Sequence, residues 1–422
     1  MRWQTLAIGW FLILPSGICS AQAMLSFDLE EPPFTYQQTP DENRVRNLQQ
    51  RIAAGEVSLR YRRPYGYLED LLKALEIDPS SQCLVFSKTS LQVQHIWRWN
   101  PRAIYFNDDT YVGWIRGSNL LEISTFDPLL GTAFYTLEMT PQQPHLERAN
   151  YDCLGCHATA MTNGVPGHTV RSVFPKPDGS VVFREKSFVT SHASPYVERW
   201  GGWYVTGNVG RMQHMGNKVQ QGKAFDLSLH PNIASAADLI DVRGYLTPHS
   251  DIVALLVLEH QTQLHNVLTR SQFTIRQLRY EHARLAEEPD VALWDATVDE
   301  LARKIVAELL LTDEPSLPDP VRGSSGFSED FSQRGPCDRT GRSLRELDLQ
   351  TRLLKYPCSP LVYSDAFTML DARLRSATLV RLRAELLDDE MPSAGQHALD
   401  TSTRQATYEI LKSTIRDLPE GW

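Results

Sequence analysis

The stretch RAIYFNDDTYVGWIRGSNLLEISTFDPLLGTAFYTLEM, Arg102 to Met139, decides how the N-terminal part of this chain folds. It holds four short runs rich in β-branched and aromatic residues, RAIYFND, YVGWI, LLEISTF and TAFYTLEM, a composition that suits a pleated, half-buried surface. Turn formers separate them at short intervals, among them Asn107-Asp108-Asp109 and Asp127-Pro128. That spacing predicts antiparallel strands joined by tight turns. A run of the same kind, QCLVFS, precedes them, and YGYLEDLLKALE (Tyr65 to Glu76) reads as a short helix. Residues 24–140 are therefore expected to form an α+β domain.

Beyond it the character changes twice. Residues 141–247 are rich in Gly, Pro, His and aromatic side chains and show little helical periodicity, with a hairpin expected at Pro177-Asp178-Gly179. After Pro248 amphipathic helices follow. Ser250 and Asp251 are suited to cap a helix reaching about Leu285, with Val253, Val257, His260, Leu264, Leu268, Ile275 and Leu278 near one stripe. Its run IVALLVL (Ile252 to Leu258) is too short to span a bilayer, which takes roughly 20 apolar residues, and reads as a buried helix segment. Further helices are expected over Val291 to Leu311, Ser343 to Lys355, Ser364 to Leu387 and Thr401 to Leu418. The breaker-rich DEPSLPDPVRGSSGF makes residues 312–341 a linker between two helical regions, 248–311 and 342–422. The fold class expected is α+β, with a strand-rich N-terminal part, a loop-rich centre and a mainly α-helical C-terminal part.

The N-terminus carries an export pattern: Arg2, the apolar LAIGWFLIL (Leu6 to Leu14), and the small-x-small Ala21-Gln22-Ala23. Cleavage there gives a mature chain starting near Met24 in the periplasm or otherwise outside the cytoplasm. An uncleaved anchor or a lipid on Cys19 is the competing reading, disfavoured by the shortness of the apolar run and by the bulky Ile18. The formal net charge is −9, and −10 without residues 1–23, with 41 basic against 51 acidic side chains. An acidic balance argues against nucleic acid and against strong attachment to anionic lipid. No P-loop, dinucleotide glycine fingerprint, G-x-S-x-G or H-E-x-x-H occurs.

The chemistry lies in Cys153-Leu154-Gly155-Cys156-His157, a C-x-x-C-H pattern. Two thiols three positions apart on one turn reach both vinyl groups of a porphyrin, and the adjacent imidazole meets the iron. A thioredoxin-like pair would need a βαβ context and a zinc site a second pair of ligands, and neither is present in the sequence.

CLGCH behind an export signal resembles the attachment site of c-type cytochromes. The resemblance covers these five residues and implies one covalent haem c on Cys153 and Cys156, with His157 as proximal iron ligand. In small cytochromes c a distal Met lies some sixty residues further on, which in this sequence points to RMQHMGN. Its Met212, Met215 and intervening His214 are the first candidates for the sixth ligand, and His192 and His260 follow. An open sixth position is the remaining possibility. Trp200, Trp203 and Tyr204 are candidates to wall the haem, or are plain core aromatics. Arg171, Arg199 and Arg211 suit its propionates, because guanidinium pairs well with carboxylates. Gly201-Gly202 would allow close approach of the porphyrin, or form a bulge.

His249, Glu259, His260 and His265 gather on one helix and its start. However, His260 and His265 are five apart and diverge by about 140°, which argues against a shared metal. Cys337 and Cys358 are expected to form a disulfide, leaving Cys83 buried as a small apolar residue. The functional expectation is one-electron transfer with a redox partner protein, inside a larger redox assembly or alone. Its rivals are a haem-dependent oxidoreductase with an open distal site, of peroxidase or oxygenase type, and a haem-based gas sensor.

Overall fold

The strand runs become one antiparallel sheet, and two helices cover one of its faces. In the computed structural model, which describes residues 27–149, 151–222, 225–228, 232–285, 291–388 and 400–422, helix α1 (Arg44–Ala53) starts at Asn43. The Asn43 side chain accepts from the Val45 and Arg46 amides, groups that an uncapped helix leaves unpaired. Helix α2 (Leu68–Ala74) is the core of the helix read at Tyr65 to Glu76. The export signal, the start at Met24 and Cys19 lie outside the described residues.

The sheet runs in sequence order through β1 (Cys83–Val85), β2 (Arg102–Phe106), β3 (Thr110–Ile115), β4 (Leu120–Asp127), β5 (Gly131–Glu138) and β6 (Leu146–Arg148). The turn after β4 closes because Asp127 accepts from the Leu129 and Leu130 amides and Gly131 takes a left-handed φ of 74°. Strand β6, three residues with no hydrophobic run, was not signalled in the sequence. One face, with Tyr105, Val112, Trp114, Ile123 and Tyr135, joins Val45, Leu48, Leu68 and Leu72 in the first core. The other face turns toward the rest of the chain.

From β6 the chain enters α3 (Tyr151–His157) and a loop-rich stretch holding a two-stranded ribbon, β7 (Val170–Ser172) with β8 (Phe188–Thr190). The Pro177-Asp178-Gly179 turn forms, with Pro175 bridged to Val181. Next comes α4 (Ile252–Leu285), capped as read: Asp251 accepts from the Val253 amide. Its residues 252–262 are buried on every side rather than along a stripe, as expected of a helix running through a core. No described helix is long and apolar enough to cross a membrane.

The C-terminal part contains α5 (Val291–Leu309), α6 (Phe327–Gln333), α7 (Asp365–Thr368), α8 (Ala372–Leu387) and α9 (Thr401–Thr414). Two expectations are corrected here. Residues 312–341 are not a bare linker, since Leu317, Val321, Phe327 and Phe331 enter the second core beside Val85, Phe106 and the start of α4. Ser343 to Lys355 is not a helix. The Asp348 carboxylate accepts from the Thr351 and Arg352 amides and Leu347 bridges to Leu354, so local side-chain bonds replace the helical ladder. A third core joins the later part of α4 to α5, α8 and α9.

Candidate haem-attachment site

Paired residues in a sheet share a face, so register shows what α3 rests on. Phe106, Tyr111, Ser124 and Phe134 form one cross-strand row on the face opposite the first core, and Ile104, Gly113, Glu122 and Thr136 form the next. His157 packs on the Phe134 ring with centroids 5.1 Å apart. The chain leaving β6 is tied to the same residue, because the Ala149 amide donates to the Phe134 carbonyl. Leu154, between the two cysteines, packs partly on the first core.

Cys153 is half-buried and Cys156 exposed, and both are free thiols. Burial pushes the Cys153 thiol up to about 11, with Glu122 and Asp152 adding to the rise. It is therefore neutral at ordinary pH. The Nδ1 of His157 lies 2.9 Å from the Gly167 carbonyl oxygen. A carbonyl only accepts, so Nδ1 carries the proton and Nε2 keeps its lone pair, the state of an imidazole ready to ligate a metal. Burial holds the imidazolium form down, and Arg102 adds to that. Arg102 pairs with Glu122 across Gly113, where any side chain would overlap the guanidinium.

Behind His157 lies a histidine that motif reading missed. His168 is 8% exposed, takes a 2.8 Å hydrogen bond between Nε2 and the Ser124 hydroxyl, and packs in a tilted contact 4.1 Å from the Tyr111 ring. Its Nδ1 has no hydrogen-bond partner, and burial holds it neutral. Asn266 of α4 clamps its backbone, accepting from its amide at 2.9 Å and donating to its carbonyl at 2.7 Å. The Gln261 amide donates to the Tyr111 hydroxyl at 2.8 Å, and that hydroxyl lies 3.1 Å from His265 Nδ1. Burial pushes His265 down to about 4, so its ring is neutral. No fixed spacing marks Gly167 and His168 as partners of the motif. They meet it only through the sheet row and α4.

The expected distal and propionate residues have their contacts elsewhere. Met212 is in the second core, and the Met215 sulfur accepts from Ser172 at 3.6 Å. His214 packs on Trp200 at 5.3 Å and accepts from the Gly216 amide. His192 and His260 face each other, Nδ1 to Nδ1 at 3.3 Å, and His260 also meets the Ser359 hydroxyl at 2.7 Å. None of these contacts reaches α3. Arg199 forms a fully buried pair with Glu259 at 3.1 Å, and Arg211 pairs with Asp319 at 2.9 Å. Arg171 offers its carbonyl to the Trp203 indole. Arg102, which the sequence did not single out, is the guanidinium whose charge acts on His157.

Trp200, Trp203 and Tyr204 are core aromatics. Gly201 and Gly202 let the chain press against the Val173 carbonyl and Ser87, as a bulge would. His260 and His265 point to different neighbours, and no described group of three or more His, Cys, Asp or Glu side chains is arranged to hold a metal ion. The expected Cys337–Cys358 bridge is absent: both are free thiols, Cys337 facing solvent and Cys358 the third core. Cys83 is buried in the second core as expected. In comparisons with known proteins, no family model, no curated protein and no solved structure matches this chain.

Proposed function

We propose that this chain is an exported carrier of one haem c, held by thioether bonds from Cys153 and Cys156 with His157 on the iron, and that it works in one-electron transfer with a redox partner protein. The observation that carries the reading is the His157 Nδ1 bond to the Gly167 carbonyl, which leaves Nε2 free beside two free thiols on the same helix. Bound haem supplies an iron centre that changes charge by one electron. The protein's part is orientation. Gly167 and Phe134 fix the imidazole plane, and the sheet beneath keeps that plane from moving as charge changes. The Arg102–Glu122 pair sets the charge beside the site.

Material matured in a periplasm competent for cytochrome assembly should retain haem through denaturing electrophoresis, while Cys153→Ala with Cys156→Ala should lose it. Wild-type protein without covalent haem would falsify the reading. A low-spin reduced spectrum with little CO binding would support electron transfer, and it requires a sixth ligand beyond those that the contacts described above bring to α3. Tight CO binding would instead support the open-site oxidoreductase or the gas sensor.

A further inference from the structure

Four of the exposed large apolar side chains fall within nine residues of one loop: Leu91, Val93, Trp97 and Trp99, the last 54% exposed. The Pro177-Asp178-Gly179 hairpin lies against this loop. The Lys88 amide donates to the Gly179 carbonyl at 2.8 Å, and Gly179 abuts the Trp97 backbone. Four residues further on, Phe183 stands 96% exposed. Monomeric proteins scatter such side chains singly, and a gathering of them marks a contact surface.

Charge says what the surface meets. Although the chain is acidic overall, Lys88, Arg98, Lys176, Arg184 and Lys186 on these two segments outnumber Asp178 and Glu185. The Arg98 guanidinium lies 5.0 Å from the centre of the Trp99 ring. We infer that the 88–99 loop and the 176–186 hairpin dock this protein onto an anionic lipid surface. Tryptophan with interleaved cations is the composition of the bilayer interface. Apolar side chains projecting from two separate loops suit a soft medium that they enter one by one, whereas a rigid protein partner would need a matching pocket for each. The overall acidic balance argues against strong attachment to anionic lipid, and docking rests instead on this local excess of cations. Ser90 of this loop bonds Glu122 of β4 at 3.3 Å, and the Glu122 charge acts on Cys153.

The test is sedimentation of the purified full-length protein with vesicles of phosphatidylglycerol and phosphatidylethanolamine, and with vesicles of phosphatidylcholine alone. Binding to the anionic vesicles, loss of it in high salt and none to the zwitterionic ones is the expected pattern. A basic side chain near an anionic surface contributes about fivefold in partition. Lys88→Glu with Arg98→Glu and Lys176→Glu should therefore abolish binding. Trp97→Ala with Trp99→Ala, and Phe183→Ser separately, should each lower it about tenfold with unchanged circular dichroism. Brominated lipid should quench wild-type tryptophan fluorescence, a measurement that needs no variant. The inference is overturned by wild type that stays in solution, by equal binding to both vesicle types, by variants that bind like wild type, or by a protein captured through these residues without lipid binding. The Cys153→Ala/Cys156→Ala protein should bind equally well, so failure of the haem reading leaves this result standing.

Discussion

Gly167 serves two neighbours at once. Its carbonyl accepts the hydrogen bond from His157 Nδ1, and its α-carbon faces the Asn266 amide oxygen so closely that any side chain would overlap it. Gly167→Ala should push the segment before β7 off α4 and loosen both His168–Asn266 bonds. We expect a loss of about 1–3 kcal/mol, typical of overpacking, in urea unfolding, together with a shifted midpoint potential in haem-loaded protein. Asp109 offers a test of opposite sign. It is 4% exposed, with Arg44 at 3.5 Å as its ion-pair partner and Oδ1 unpaired, and burial pushes it up to about 7. An unfolded Asp titrates near about 3.9, so between about pH 4 and 7 the folded protein binds the extra proton. Stability contributed by this group is therefore present at low pH and lost as pH rises through that window, at up to about 1.4 kcal/mol per unit. Asp109→Asn removes the dependence. Urea unfolding across pH should show the variant gaining on wild type from about pH 4 to 7, then staying level; a constant difference would contradict the assignment.

Helix α4 is an element whose start does more than end a ladder. The Asp251 carboxylate accepts from its own Val253 amide and from the Ser324 and Ser325 amides, so one cap also fastens a loop 73 residues away. Asp251→Ala should cost about 2–3 kcal/mol, above an ordinary cap because charge-assisted bonds are lost with it. Thermal melting and amide exchange over 321–327 would measure it. Much at this scale was legible. Periodic or β-rich runs with clear punctuation, such as YVGWI, LLEISTF and the Asp251-capped helix, became the elements they announced. What was not legible depended on distant partners. Ser343 to Lys355 has acceptable helix formers, but Asp348 closes a local turn and the second and third cores take its leucines. DEPSLPDPVRGSSGF looks like a linker because its breakers exclude a helix, yet burial of Leu317 and Val321 needs none. At the site, the CxxCH triad was visible because its spacing is dictated by the ligand. His168, Arg102 and Phe134 were not, since strand register and the Asn266 clamp from α4 bring them together.

Across the whole molecule α4 is shared by the second and third cores, and the second also takes Cys83, Val85, Phe106 and Tyr111 from the sheet. A fragment ending at residue 247 keeps every strand but loses that cover. It should bind hydrophobic dye and melt without cooperativity, whereas the intact chain should do neither; a cooperative melt of the fragment would show that the sheet and its two helices suffice. The sheet's strictly sequential order bears on something else, the timing of assembly. Each strand pairs with its neighbour in sequence, so short loops close first and long-range contacts wait. A chain delivered N-terminus first can complete β1 to β6 when α4 is still roughly a hundred residues from emerging. The next segment out is α3, presented on a finished sheet edge with its thiols open. For the haem protein proposed, attachment then falls in the interval between two folding events, before the long helix arrives and closes the body behind His157.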